Sequence, residues 1–132
     1  MSERIDHIGI AVADVAAALR VYRDLLGLDL ESVEEVASQK LTTYHLRLGE
    51  SAIELLSPTD PSSAVGRFLE KHGPGIHHVS IAVADLDAAR ARLVAGGMEP
   101  IGDPSTGAGG KRIQFFHPRT TGGVLLEICS EA

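Results

Sequence analysis

Cysteine occurs once in this 132-residue chain, at Cys129. A single thiol excludes an intramolecular disulfide and a cluster of thiolate ligands. Its apolar neighbours mark it as a small hydrophobe of the core rather than a nucleophile. Cations are also scarce: 12 Lys and Arg face 18 Asp and Glu, a net charge of −6. With no Lys/Arg cluster either, a nucleic-acid partner is not expected. One local cationic loop can still serve a small anionic substrate. No apolar run approaches membrane-spanning length, so no membrane partner is expected. Met1-Ser2-Glu3-Arg4 leads straight into a strand pattern without a charged-then-apolar leader, and the reading predicts a cytoplasmic protein. There is no low-complexity tract or long linker. At 44% apolar and 23% charged, residues 1–132 read as one globular domain able to bury a core.

What the sequence does contain is a duplication. Asp6-His7-Ile8-Gly9-Ile10-Ala11-Val12-Ala13-Asp14-Val15 is echoed by His77-His78-Val79-Ser80-Ile81-Ala82-Val83-Ala84-Asp85-Leu86. With His7 on His78, Ile10/Ile81, Val12/Val83 and Asp14/Asp85 coincide. Two copies are too few for a solenoid, so one domain of two related halves is expected. In each copy the residues alternate. Ile8, Ile10 and Val12 oppose His7, Gly9 and Ala11, while Val79, Ile81 and Val83 oppose His78, Ser80 and Ala82. One face is branched aliphatic core. The other carries a histidine and then only tiny side chains, which leaves room for a ligand.

Each strand runs into a helix start. Asp14 caps a helix whose apolar stripe is Val15, Leu19, Tyr22 and Leu26, ended by Gly27. Asp85 or Asp87 caps its counterpart, with Leu86, Ala89 and Leu93 inward and Gly96-Gly97 as the stop. An extended segment at 28–36 and strands at 42–48 and 52–56 complete the first half. Thr59-Asp60-Pro61 signals a helix start, followed by a stripe of Val65, Phe68, Leu69 and His72. In the second half a Gly107–Gly110 loop precedes strands at 111–117 and 124–129. The prediction is two βαβββ modules, at about 4–58 and 75–130, with a linking helix at about 60–72.

Two strands carry an acid inside an apolar run, at Ile53-Glu54-Leu55-Leu56 and Leu126-Glu127-Ile128-Cys129. A two-residue insertion in the second half makes them equivalent. An ionised carboxylate in a buried strand is costly unless it is paired or binds a metal. Taken singly, His7 reads as an ordinary structural histidine and either Glu as an edge residue. The repetition at equivalent places changes the balance. His7, Glu54, His78 and Glu127 form a donor set of two imidazoles and two carboxylates, suited to an octahedral divalent ion with two positions left for water or substrate. Co2+, Mn2+, Ni2+ and Zn2+ all accept such ligands. His77 has the opposite parity and reads as structural, and His72 sits at a helix end, where a cation favours the dipole.

At these residues the chain resembles the vicinal oxygen chelate superfamily and, within it, the methylmalonyl-CoA epimerases. The resemblance covers essentially the whole chain. It rests on residues 6–12, Ile53-Glu54-Leu55-Leu56-Ser57-Pro58, Ser63-Ala64-Val65-Gly66-Arg67-Phe68-Leu69, Gly75-Ile76-His77-His78-Val79, and Phe116-His117-Pro118 with Gly123-Val124-Leu125-Leu126-Glu127. The first motif is common to the superfamily; the Gly-x-His-His and His-Pro/Gly-Val-Leu-x-Glu pair is far more specific to the epimerases. The resemblance implies an α+β fold of two βαβββ modules forming a curved mixed sheet around a metal cup, usually in a homodimer. It implies His7, His78 and Glu127 as ligands, with Glu54 as the fourth and one divalent ion per subunit. The implied reaction is proton exchange at C2 of (2R)/(2S)-methylmalonyl-CoA through a metal-stabilised enolate. Such a reaction needs an acid and a base on opposite faces of C2. Glu127 is the better candidate for one and Glu54 for the other. Some family members carry a catalytic Glu where this chain has Thr43, and Thr is a poor proton carrier; either Glu54, His45 (of the same strand parity) or a bound water takes that role, or the substrate differs. For the acyl-CoA phosphates the candidates are Lys111 and Arg112 beside the glycine-rich loop. The competing readings are a lactoylglutathione lyase-like enzyme of the same superfamily and a metal-free small-molecule binding protein. The latter has no need of all four of His7, Glu54, His78 and Glu127.

Overall fold

The computed structural model of the chain describes residues 3–131. In the first half, β1 (Arg4–Ala11), α1 (Val15–Leu19), β2 (Asp29–Val36), β3 (Leu41–Leu48) and β4 (Ser51–Pro58) follow one another. Helix α2 (Ala64–His72) comes next. The second half repeats the order as β5 (Gly75–Ala82), α3 (Leu86–Ala95), β6 (Pro100–Thr106), β7 (Arg112–Phe116) and β8 (Leu126–Ser130). The class is α+β, and both βαβββ modules are present. Backbone packing groups the chain into two units, His7–His77 and a second that joins residues from His78 onward with the start of β1.

In the first unit the strand order is β2-β3-β4-β1. β1 lies parallel to β4, with Gly9 beside Glu54, and β3 is antiparallel to both β2 and β4. The second unit has the order β5-β8-β7-β6, with β5 parallel to β8 and Ser80 beside Glu127. β7 is antiparallel to β8 and β6. The strands of each unit are therefore joined by both parallel and antiparallel pairings. In both units, the acid of the last strand lies next to one of the small residues expected to clear that face.

The opposite faces form the two cores. Val12, Leu46, Ile53 and Leu55 are buried in the first unit, and Ile8, Ile10, Val15, Leu19, Tyr22 and Tyr44 pack against them. Leu46 and Leu55 lose all their exposure, worth roughly 2 kcal/mol each in hydrophobic transfer. In the second unit Leu86, Ala89, Phe116 and Ile128 take this role, with Val83, Leu93, Met98 and Leu126 around them. Both expected caps form: Asp14 accepts from the Ala17 N–H and Asp85 from the Ala88 N–H, each at 3.0 Å.

Two helix expectations need correction. The first helix is α-helical only to Leu19 and continues as a wider π-type turn through Arg20–Leu25. The Leu26 N–H reaches the Val21 carbonyl, five residues back, at 2.9 Å. The extra residue per turn rotates Leu26 out of the stripe, leaving it 64% exposed while Tyr22 stays inside. Gly27, at φ 83, then turns the chain into β2. The linking helix begins at Ala64, not at Pro61. Asp60 spends its carboxylate on the backbone N–H and hydroxyl of Ser62, both at 2.8 Å, which closes a turn. Ser63 becomes the cap, accepting from the Gly66 N–H at 3.0 Å. Gly66 seats the helix on that turn: a Cβ there would lie 2.6 Å from the Pro61 carbonyl oxygen.

Candidate functional site

In the first unit, β1 brings His7 and β4 brings Glu54 to one face, and both are buried. His7 Nε2 stands 3.6 Å from Glu54 Oε1, beyond hydrogen-bond length. Glu54 Oε2 is held by His45 Nδ1 at 3.0 Å. The two are direct partners across the antiparallel β3–β4 pair, so the ladder register sets this contact. With Glu54 ionised, His45 Nδ1 carries the hydrogen of the bond; with Glu54 protonated, the carboxyl carries it. Glu54 thus has one oxygen fixed by His45 and the other turned toward His7.

The second unit repeats the pairing. His78 on β5 and Glu127 on β8 are buried, with His78 Nε2 4.0 Å from Glu127 Oε1. The His78 ring meets the edge of Phe115 at 5.3 Å between centroids and 88° between planes, which fixes its orientation. Phe115 is also the register partner of Glu127 on β7. In both units a buried imidazole and a buried carboxylate face each other at a spacing too long for a mutual hydrogen bond. This donor chemistry fits a divalent cation: imidazole nitrogen and carboxylate oxygen are ordinary ligands, and the carboxylates offset the charge.

The other candidates are placed differently. Thr43 is buried, and its hydroxyl donates to the Glu34 carbonyl at 3.4 Å. Lys111 donates to Asp6 Oδ1 at 2.7 Å. Burial opposes the ammonium charge, but the hydrogen bond and charge of Asp6 outweigh it and hold the Lys111 pKa above its ordinary value. Arg112 grips Asp87 with both terminal nitrogens, at 3.3 and 3.1 Å, and its hydrogen bond pulls the Asp87 carboxyl down. Both cations expected to meet phosphates are already matched to carboxylates. His77 packs its ring edge on Phe68 at 5.0 Å, and burial lowers its pKa, in keeping with a structural role. Burial also pushes the Cys129 thiol up to about 11, far from a nucleophile at neutral pH.

Sequence reasoning missed Glu31. Its carboxylate Oε1 is 3.7 Å from His45 Nε2 and accepts from Arg47 Nε at 3.2 Å. Nothing in its local pattern separates it from Glu34 and Glu35, because its aim is set by a break in strand register. Leu30 pairs with Leu46 and Ser32 with His45, so Glu31 is the extra residue of a bulge.

Comparison with known proteins places the chain in a family. Residues 6–115 match the family model of the Glyoxalase/Bleomycin resistance protein/Dioxygenase superfamily. The chain is 37% identical over 131 residues to the ethylmalonyl-CoA/methylmalonyl-CoA epimerase of Cereibacter sphaeroides, covering 97% of this chain and 98% of that one. A solved methylmalonyl-CoA epimerase in complex with methylmalonyl-CoA and NH4+ superposes with a TM-score of 0.94 at 37% identity, over 100% of this chain and 96% of the other. A variant of the Streptomyces coelicolor methylmalonyl-CoA epimerase in complex with 2-nitronate-propionyl-CoA gives 0.93 at 38% identity, over 98% and 94%.

Proposed function

This chain belongs to the glyoxalase/bleomycin resistance protein/dioxygenase superfamily and, within it, to the methylmalonyl-CoA epimerases, and on that premise we propose that it interconverts (2R)- and (2S)-methylmalonyl-CoA by proton exchange at C2. The observation that carries the reading is the repeated buried His–Glu pair, His7 with Glu54 and His78 with Glu127. We assign all four to one divalent ion per chain, of the Co2+, Mn2+, Ni2+ or Zn2+ type. When bound, such an ion supplies a Lewis acid that draws charge from the substrate oxygens as the C2 proton leaves.

The protein groups do the rest. Glu127 takes the C2 proton on one face, and the electron pair of the C–H bond delocalises into the thioester carbonyl. Glu54, entering this step protonated, gives its proton to the opposite face, which inverts C2 and leaves Glu54 as the carboxylate; the reverse sequence, with Glu54 taking the proton and a protonated Glu127 returning one, serves the other enantiomer. Thr43 has no part in this, because its hydroxyl is spent on the Glu34 carbonyl and it is a poor acid at neutral pH. Two of the solved relatives support the substrate class, since their ligands are methylmalonyl-CoA itself and a nitronate, whose delocalised charge resembles that of an enolate. The pairing of Lys111 with Asp6 and of Arg112 with Asp87 leaves neither cation as an anchor for the CoA phosphates without breaking an ion pair.

Incubation with methylmalonyl-CoA in deuterated water tests the reading. Deuterium should enter C2 as the enantiomers equilibrate, and ethylmalonyl-CoA is the natural second substrate to try. Turnover of the methylglyoxal–glutathione adduct without C2 exchange would transfer the assignment to a lactoylglutathione lyase-like enzyme. Binding without turnover of either substrate would make it a small-molecule binding protein.

A further inference from the structure

The line of polar side chains running outward from Glu54 has no place in the reaction as described. Glu54 Oε2 meets His45 Nδ1 at 3.0 Å, His45 Nε2 lies 3.7 Å from Glu31 Oε1, and Arg47 Nε donates to that same oxygen at 3.2 Å. Arg47 also donates to the Gly49 carbonyl at 3.3 Å. The line crosses three adjacent strands, β4, β3 and β2, and passes from a buried carboxylate to an exposed guanidinium. Side-chain exposure rises along it from 8% at Glu54 through 27% at His45 to 40% at Glu31 and 48% at Arg47.

The outer members contribute little by themselves, since exposed ion pairs are worth at most about 1 kcal/mol. Glu31, aimed by the β2 bulge and held by Arg47, stands over the outer side of the His45 ring at 3.7 Å, beyond hydrogen-bond length. The directed contact of the ring is therefore the one through Nδ1, 3.0 Å from one oxygen of Glu54, and the other oxygen is directed at His7 Nε2.

We infer that His45 is a positioning residue: through Nδ1 it fixes the carboxylate of Glu54, so that a single oxygen is offered toward the His7 side as a metal donor. The inference rests on the reading of Glu54 as a ligand. It concerns the orientation of that ligand and needs no change in the protonation of His45. Partners that orient a ligand in this way commonly set metal affinity by about 10–100-fold.

Three substitutions separate this role from a merely structural one. His45→Asn places an amide N–H close to the position of Nδ1. His45→Gln places it near Nε2 instead, and His45→Ala removes it. Titration of the metal-free proteins with Co2+, followed by the visible absorption of the bound ion, reads affinity and ligand geometry together. His45→Ala and His45→Gln should weaken Co2+ binding by about 10–100-fold and alter the absorption bands. His45→Asn should stay within a few-fold of the parent with its bands unchanged. Equal affinity for His45→Ala and the parent, or an equal loss in His45→Asn and His45→Ala, would overturn the inference.

Crystal structures of the metal-free parent, His45→Ala and His45→Asn decide the matter independently of any ion. The Glu54 carboxylate should leave its position in His45→Ala and keep it in His45→Asn. A displacement under about 0.5 Å in His45→Ala refutes the positioning role. A parent protein that binds no Co2+ would sink the metal reading of Glu54, and these structures would still settle whether His45 positions it.

Discussion

Replacing Lys111 with Met removes the cation matched to the buried Asp6 carboxylate. Asp6 is 5% exposed, and Lys111 Nζ donates to its Oδ1 at 2.7 Å, with Arg4 NH1 3.6 Å from the same oxygen. Met keeps most of the apolar stem and removes the charge. A hydrogen bond between charged groups contributes about 1.5–3 kcal/mol, and truncating one member leaves the desolvation cost of the other in place. The 27% exposure of the Lys111 side chain and the presence of Arg4 reduce that figure, to about 2 kcal/mol. For 132 residues this corresponds to a fall in Tm of roughly 7 °C. The pH dependence has a definite sign. The folded-state pKa of Lys111 is raised, so its stabilisation is complete below the ordinary lysine value near 10.4 and is lost as pH rises through the folded value. Urea denaturation of both proteins should give a difference that is constant from pH 7 to about 9 and shrinks above about 10.5. A difference below about 0.5 kcal/mol at pH 7, or one that grows with alkalinity, would refute the reasoning. Since Lys111 is committed to Asp6, the same substitution should change KM for the acyl-CoA less than it changes stability.

Three further substitutions test the fold and the chemistry. Gly66→Ala introduces a Cβ 2.6 Å from the Pro61 carbonyl oxygen, so the turn before α2 must shift; thermal denaturation should show a loss of about 1–3 kcal/mol, and an unchanged Tm would mean the turn yields freely. Glu127→Gln should abolish deuterium exchange at C2, whereas Thr43→Val, which loses only a 3.4 Å bond to the Glu34 carbonyl, should exchange at close to the parent rate; the reverse pattern in the NMR assay would return the proton-carrying role to the Thr43 position.

Where a residue's role depends on alternation, the sequence alone disclosed it. The small side chains Gly9 and Ser80 did lie beside Glu54 and Glu127, because a parallel register places like-facing residues of neighbouring strands side by side. The caps at Asp14 and Asp85 were equally legible, being local. Register itself was not. The partnership of His45 with Glu54 depends on the β3–β4 pairing, and that of Glu31 with His45 on a bulge that no periodicity announces. The position of β6, though not its existence, was hidden for a related reason: Pro100-Ile101-Gly102-Asp103-Pro104-Ser105-Thr106 has no alternation, two prolines and a register shift, as an outer strand tolerates. The π-type turn after Leu19 misled the stripe at Leu26, since a 3.6-residue period cannot foresee an added residue. The engagement of Lys111 by Asp6 joins residues 105 positions apart, beyond the reach of any local pattern.

One metal ion per chain is the proposed cargo of His7, Glu54, His78 and Glu127. Metal content per chain, determined by mass spectrometry on the parent, His7→Ala and His78→Ala, tests it most directly. The parent should hold about one divalent ion per chain, and either substitution alone should remove it. Full metal content in either variant, or a parent that binds no divalent ion, would contradict the account.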